Sequence, residues 1–411
     1  MIVTSVGLFA TPMRRAIAVA PLMLVALWFA FSITASTILS RSDPDLAIWL
    51  YGGNSRALER AATLESAKNT KFFADKAVAL ARRSLVVSPL SSEGAIALAA
   101  ARTTLRPQDD VLGAVRYSEF LSRRTTFTQI WLIEHNVQQG DIPAALKAYD
   151  RLFRVSDYYR SQFLPVLLGA SAQSDIARGI ARMLATRPPW QGEYYGGLLA
   201  NFPGPTNFAL LVRAMRFDAK DADGAKRLEL ALAKLVDVGR PDLAYGIYRT
   251  AMPDRAAQST LVRNGDFSRP DGIAPFDWQL TQSDELSAEI GANDAGRPVL
   301  HLLNRGGRPG AFARQLLVLP PGRYRIGFVV GNVQGALVDR PRMTVRCTQG
   351  AADLNAVPFP EAPEAGRAVT MDVVVPRGCV AQWLSVEAGN PVDGIATQQW
   401  IARIGISPIV G

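Results

Sequence analysis

The sequence predicts a multidomain α plus β chain: a transmembrane helix, an α-helical solenoid, then an antiparallel β-sandwich. Three observations carry this expectation. Ala16 to Ser40, AIAVAPLMLVALWFAFSITASTILS, contains no charged residue. Residues 41–258 then repeat short runs with apolar residues at helical spacing. From 259 to 411 the spacing becomes alternating, broken by Gly- and Pro-rich turns, with no helical pattern between the runs.

The uncharged run has 25 residues, more than the ~20 a helix needs to cross a bilayer. Arg14 and Arg15 precede it; Arg41, Asp43 and Asp45 follow. The positive-inside rule therefore keeps residues 1–15 in the cytoplasm and exports everything after about residue 41, across a bacterial inner membrane. A cleaved signal peptide is the competing reading. Its apolar region would be shorter, and the nearest cleavage-like triplet, Ile33-Thr34-Ala35, has a bulky Ile at the position that wants a small residue.

In the helical part, FADKAVALARRSLVVSP (73–89) and SSEGAIALAAARTTLRP (91–107) both end at a proline, which cannot donate the next helical bond. Two further stretches share a scheme. Residues 127–157 place Gly140, Ala145 and Tyr149 in order, and 235–253 place Gly239, Ala244 and Tyr248. Glycine lets the chain reverse, alanine permits close helix contact, and the aromatic plugs the neighbouring pair. This scheme resembles the tetratricopeptide repeat, with Pro89 closing a third unit, although Trp131 falls two residues later than the family's tryptophan. The resemblance implies stacked helical pairs, because a single pair cannot bury its own apolar face, and a protein segment of the envelope as partner. A spacer with no partner is the plainer alternative. RPPWQGEYYGG (187–197) is read either as an exposed contact loop or as rings packed back on their own helices.

In the last part, GRYRIGFVVG (322–331), PRMTVRC (341–347), RAVTMDVVVP (367–376), VAQWLSVEAG (380–389) and TQQWIARIGISPI (397–409) read as strands. Asn264-Gly265-Asp266-Phe267 is turn chemistry before a strand, with Phe267 as a core plug. Phe276 and Trp278, two apart, are expected to cover one face of the next strand. Trp400 shares parity with Ala402, Ile404 and Ile406 and is assigned to the core. The NGDF…PFDW opening, the central LPPGRYRIGF and the aliphatic last strand resemble the jelly-roll, galactose-binding-like domains of carbohydrate-binding modules. That resemblance implies a sugar ligand. Many such modules hold a structural calcium through a Glu after the opening Phe and acids in the last strand; this chain has Ser268 and Trp400-Ile401-Ala402-Arg403 there, so no metal is expected.

A sugar site needs an aromatic ring flanked by planar polar groups. Trp383 shares a strand face with Ser385 and Glu387, and Arg325 and Arg346 lie on the polar faces of their strands. These three are the candidate ligand-binding residues. Trp383 is alternatively placed to cover a disulfide as plain packing. Cys347 and Cys379, the only cysteines, suggest one bridge in an oxidising compartment; two unrelated buried thiols are the alternative.

Residues 1–261 carry 31 Lys+Arg and 22 Asp+Glu, whereas residues 262–411 carry 14 of each and no lysine. The basic excess of the first part reads as a solvated helical surface, or as weak steering toward anionic lipid or an acidic polymer. Export and a neutral second part disfavour nucleic acid. No nucleophile elbow, phosphate loop, dinucleotide fingerprint or zinc-protease motif occurs, and the two histidines, His135 and His301, fall in different parts. Carboxylates such as Asp284-Glu285 read as ordinary turn residues. The expectation is a non-enzymatic anchored scaffold of the envelope, accessory to polysaccharide assembly or export, without cofactor. The alternatives are a pure protein scaffold and, behind it, a glycan hydrolase or lyase.

Overall fold

The computed structural model describes residues 12–68, 71–256, 260–305, 309–350, 352–389 and 397–409. The segment assigned to the cytoplasm, 1–15, lies outside the described residues up to residue 11. The chain is helical and then β, with two compact units, Met1–Phe163 and Leu164–Gly411. The change from helix to strand is not where the molecule divides, because the second unit contains both.

The first unit begins with α1 (Pro12–Leu39), followed by α2 (Pro44–Leu50), α3 (Ser55–Ala67), α4 (Lys71–Val87) and α5 (Ser92–Leu105). Then come α6 (Leu112–Leu121), α7 (Thr126–Gln138) and α8 (Ile142–Val155). Side-chain caps explain several starts: Asp43, Asn54, Ser91 and Asp141 each accept a backbone N–H of the turn they open. Successive helices pack pairwise, α3 on α4, α4 on α5 and α7 on α8. α1 is apolar and long enough to span a membrane over Val19–Leu39. At the α7–α8 turn Gly140 takes a φ of +72°, the left-handed conformation a side chain would strain. Ala145 and Tyr149 are buried behind it, with Tyr149 against Phe153 and Phe163.

The division falls inside α9 (Asp157–Ala170). The second unit continues through α10 (Ser174–Leu184), α11 (Gln191–Ala200), α12 (Pro205–Met215), α13 (Ala222–Asp237), α14 (Pro241–Ala251) and α15 (Pro253–Ala256). The RPPWQGEYYGG stretch is mostly α11, and its rings pack back: Trp190, Tyr194 and Tyr195 are buried. Burial pushes both phenols up to about 12, so they remain protonated donors, Tyr195 to the Arg227 carbonyl. Gly239, at a φ of +76°, closes the α13–α14 hairpin, and Ala244 and Tyr248 are fully buried.

Two five-stranded antiparallel sheets form the sandwich. One has the order β1 (Gln279–Leu280), β4 (Ala311–Leu317), β9 (Gln382–Glu387), β6 (Arg342–Cys347), β7 (Asp353–Pro358). The other runs β2 (Leu286–Ala292), β3 (Pro298–Asn304), β10 (Thr397–Pro408), β5 (Gly322–Gly331), β8 (Arg367–Val375). Their inner faces share one apolar core, including Leu300, Ile326, Val330 and Ile401 from one sheet and Met343, Val345, Leu384 and Val386 from the other. The five predicted strands are β5, β6, β8, β9 and β10. Cys347 and Cys379 form a disulfide that ties the end of β6 to the turn before β9.

Two sequence expectations are corrected. Phe276 and Trp278 do not share a strand face: β1 begins only at Gln279, and the two rings diverge. Trp278 packs on Phe267 within the sandwich core, whereas Phe276 packs on Tyr245 and Tyr248 of α14. Trp400 is buried, but outside the main core, in a small cluster with Val299 and Ala402. The cause is a bulge between Ala402 and Gly405, with Arg403 at φ +52°. A bulge inserts an unpaired residue and reverses the parity beyond it, so Ile404 faces the core that Trp400 faces away from. The indole lies flat on Gly331, where a Cβ would meet it at 2.1 Å.

Candidate functional site

β9 is the central strand of its sheet, and the pleat sends alternate side chains to opposite faces. Leu384 and Val386 enter the core; Trp383, Ser385 and Glu387 stand on the outer face. Pairing then decides which neighbours join them. Arg346 of β6 lies directly across from Trp383, Thr344 across from Ser385, and Arg342 across from Glu387. On the other side, β4 sets Leu316 opposite Trp383 and Arg314 opposite Ser385.

The result is a polar face organised around one half-buried indole. The Arg314 guanidinium lies 4.5 Å from the Trp383 ring centroid, a cation–π contact, and its Nε donates to Gln279 Oε1 at 2.7 Å. Arg346 Nε donates to Asp353 Oδ1 at 2.8 Å. Arg342 Nε donates to Glu387 Oε2 at 2.9 Å, and Thr344 Oγ1 donates to Glu387 Oε1 at 3.2 Å. Thr344 and Ser385 are short and buried between these longer chains. Chemically the face offers an aromatic surface, planar donors and two oriented carboxylates, Glu387 and Asp353, the groups that recognise polar, ring-shaped ligands.

Of the three residues selected from sequence, the fold brings Trp383 and Arg346 together and places Arg325 elsewhere. Arg325 projects from β5, in the opposite sheet, where its Nε and Nη2 donate to the two Asp372 oxygens at 2.7 and 2.9 Å. That guanidinium holds the Asp372 carboxyl below the usual carboxylate range. Face parity alone could not separate the sheets; strand order does. Trp383 does not cover the disulfide either, because Cys347 faces the core side of β6 while the indole lies outside. Arg314, Gln279 and Thr344 were missed. For Arg314 the available signal was the alternation in AFARQLL of β4, blurred by the bulge between Ala311 and Ala313.

A second concavity, between residues 260–269 and β10, contains Ser268 and Arg403, two of the positions at which the sequence leaves the calcium-binding pattern. Its lining offers one carboxylate, Asp266, beside Arg269 and Arg403. Calcium wants six to eight oxygens with several carboxylates, so this set does not fit it.

No family model matches the chain, and no curated protein matches it. Solved structures resembling it include carbohydrate-binding modules, aligned with the carboxy-terminal sandwich. One, described as CBM4, is 17% identical, covers 36% of this chain and 99% of its own, and gives a TM-score of 0.27. Another, TmCBM61 in complex with β-1,4-galactotriose, is 12% identical over 37% of this chain and 100% of its own, with a TM-score of 0.27. A Stig cyclase from Fischerella sp. TAU is also 12% identical, over 37% and 98%, with a TM-score of 0.28.

Proposed function

We propose that this chain is a non-enzymatic scaffold, anchored by α1 in a bacterial inner membrane, with its bulk on the exported, periplasmic side. Its helices form a tetratricopeptide-like array that binds an envelope protein, and the outer face of the β9-containing sheet binds a cell-surface polysaccharide during assembly or export. The observation that carries the reading is the direct pairing of Trp383 with Arg346, with Arg314 beside the ring and Glu387 two residues along. The disulfide supports the oxidising location.

Retention of the full chain, solubilised in detergent, on the cell's own polysaccharide tests it by affinity electrophoresis. Trp383→Ala is expected to cut retention at least tenfold, as loss of an aromatic platform does, and Arg325→Ala to leave it unchanged. Equal retention of wild type and Trp383→Ala, or none on any envelope glycan, rejects the sugar site.

One observation favours a pure protein scaffold. Arg342 and Arg346 already have carboxylate partners, and Arg314 already lies on the indole, so the face is satisfied without ligand. A pull-down in which Trp383→Ala loses a protein partner but no glycan identifies that second role.

A further inference from the structure

We propose that α2 is an interfacial helix whose Leu46 and Trp49 are inserted in the exported leaflet, so that the first helical unit is held against the membrane. The proposal rests on α1 spanning the bilayer. It starts from an overlap: the folded unit begins before the apolar run ends. Ser32 and Ser36, one helical turn apart on α1, and Ser40 just after its end are buried where α2 and α3 pack. Ser36 Oγ donates to the Ala47 carbonyl of α2 at 3.0 Å, and Asn54 Nδ2, from the cap of α3, donates to Ser36 Oγ at 2.7 Å. These bonds fix α2 against the last turns of α1.

The lengths then place α2. An α-helix rises 1.5 Å per residue, so Ala16 to Phe31, the uncharged part before the first buried serine, covers only about 24 Å. The hydrocarbon core is about 30 Å thick. With Arg14 and Arg15 held at the opposite surface, the core reaches to about Ala35, and whatever packs on Ser32 and Ser36 must lie at the acyl–headgroup boundary. α2 is built for that position. Its Pro44 and Ala47 are buried against the protein, while Leu46 is 41% and Trp49 76% exposed, three residues apart and so on one face. Large apolar side chains left in water are costly, and tryptophan concentrates at the headgroup level of bilayers. The charges nearby are Arg41, Asp43 and Asp45, with Lys76 facing Asp45 and Arg83 on the Gly52 carbonyl. Both signs are mixed in this set, whereas Leu46 and Trp49 are apolar and exposed, so apolar insertion is assigned as the holding force.

The test uses the full chain in vesicles of phosphatidylethanolamine and phosphatidylglycerol. Both native cysteines are bridged, so a nitroxide can be attached at a single new cysteine: Trp28→Cys within α1, Trp49→Cys, or Phe120→Cys on α6, where Phe120 is 84% exposed. Leu46→Cys replaces Trp49→Cys should the latter not fold. The label at 49 (or 46) is expected to favour oxygen over a water-soluble nickel chelate, at a shallower depth than the label at 28, and to keep that depth in 1 M salt. The label at 120 is expected to favour the nickel chelate. If 28 reports lipid while 49 and 46 report water as 120 does, the interfacial helix is overturned and the anchor stands. A label at 28 in water overturns the anchor itself. Loss of depth at 49 in high salt overturns apolar insertion as the holding force.

Discussion

The hairpins α7–α8 and α13–α14 have the same sequence scheme and put its last residue to different uses. In both, a left-handed glycine turns the chain, an alanine brings the helices close, and a tyrosine is buried. Tyr149 spends its ring on aromatic neighbours within its own helical unit, Phe153 and Phe163. Tyr248 packs on Phe276, carries the Arg263 guanidinium 5.1 Å from its ring centroid, and donates its hydroxyl to Asp277 Oδ2 at 3.0 Å. Asp277 also accepts from the Ile273 N–H at 2.9 Å, and Glu229 of α13 accepts from the Ala274 N–H at 3.2 Å. One tyrosine therefore completes a helix pair, and the other joins a helix pair to a β-sandwich. A local pattern specifies the hairpin; the partner of its outward residue is set by what the chain does next.

The largest effect should come from Asp277→Ala. It removes a buried carboxylate and leaves at least two donors without that acceptor, at a cost of about 3 kcal/mol in chemical denaturation; a loss below about 1 kcal/mol would mean the seam is not a structural joint. Tyr248→Phe keeps the ring and deletes one buried hydrogen bond to a charged group, with an expected loss of about 1–2 kcal/mol. An intermediate control lies in the first unit. Buried Glu65 accepts from Lys68 Nζ and Lys76 Nζ, both at 2.8 Å, and these bonds hold its carboxyl below the usual range. A lowered folded value gives stability that is present above the unfolded value, about 4.3, and is lost as pH falls through the folded one. Because both lysines are half in water, Glu65→Gln should cost only about 1 kcal/mol at neutral pH. The gap from wild type should narrow as pH falls below the unfolded value, and a gap unchanged by acid removes the linkage. The smallest effect is expected from Tyr149→Phe, under about 0.5 kcal/mol, because the ring and its packing are kept. Equal losses for Tyr149→Phe and Tyr248→Phe would dissolve the contrast between the two hairpins.

Much of the candidate site was legible in parity. That Trp383, Ser385 and Glu387 share a face, opposite Leu384 and Val386, follows from the two-residue period of a strand. The same period assigns Arg346 to an outer face. It cannot say which strands are neighbours, and Arg325 was grouped with Trp383 because nothing local marks β5 and β9 as members of different sheets. Arg314 was overlooked for a related reason: β4 is short, mixed in character and bulged, so its alternation is weak. Trp400 shows the limit from the other side, since one extra residue at Arg403 cancels a parity argument carried across it.

By itself, the sequence determined the uncharged membrane-length run, the change of period near residue 259, the hairpin turns at Gly140 and Gly239, and five of the ten strands among the described residues. Each is a short-range property, set by side-chain polarity, backbone freedom or period within one element. Only the tertiary structure decided that Arg346 and not Arg325 stands beside Trp383, that Phe276 turns to a helix while Trp278 turns to a sheet, and that α2 and α3 cover the end of α1. Those outcomes depend on strand order and on contacts between residues distant in the chain, where the free energy lies in burial and pairing that no single segment contains.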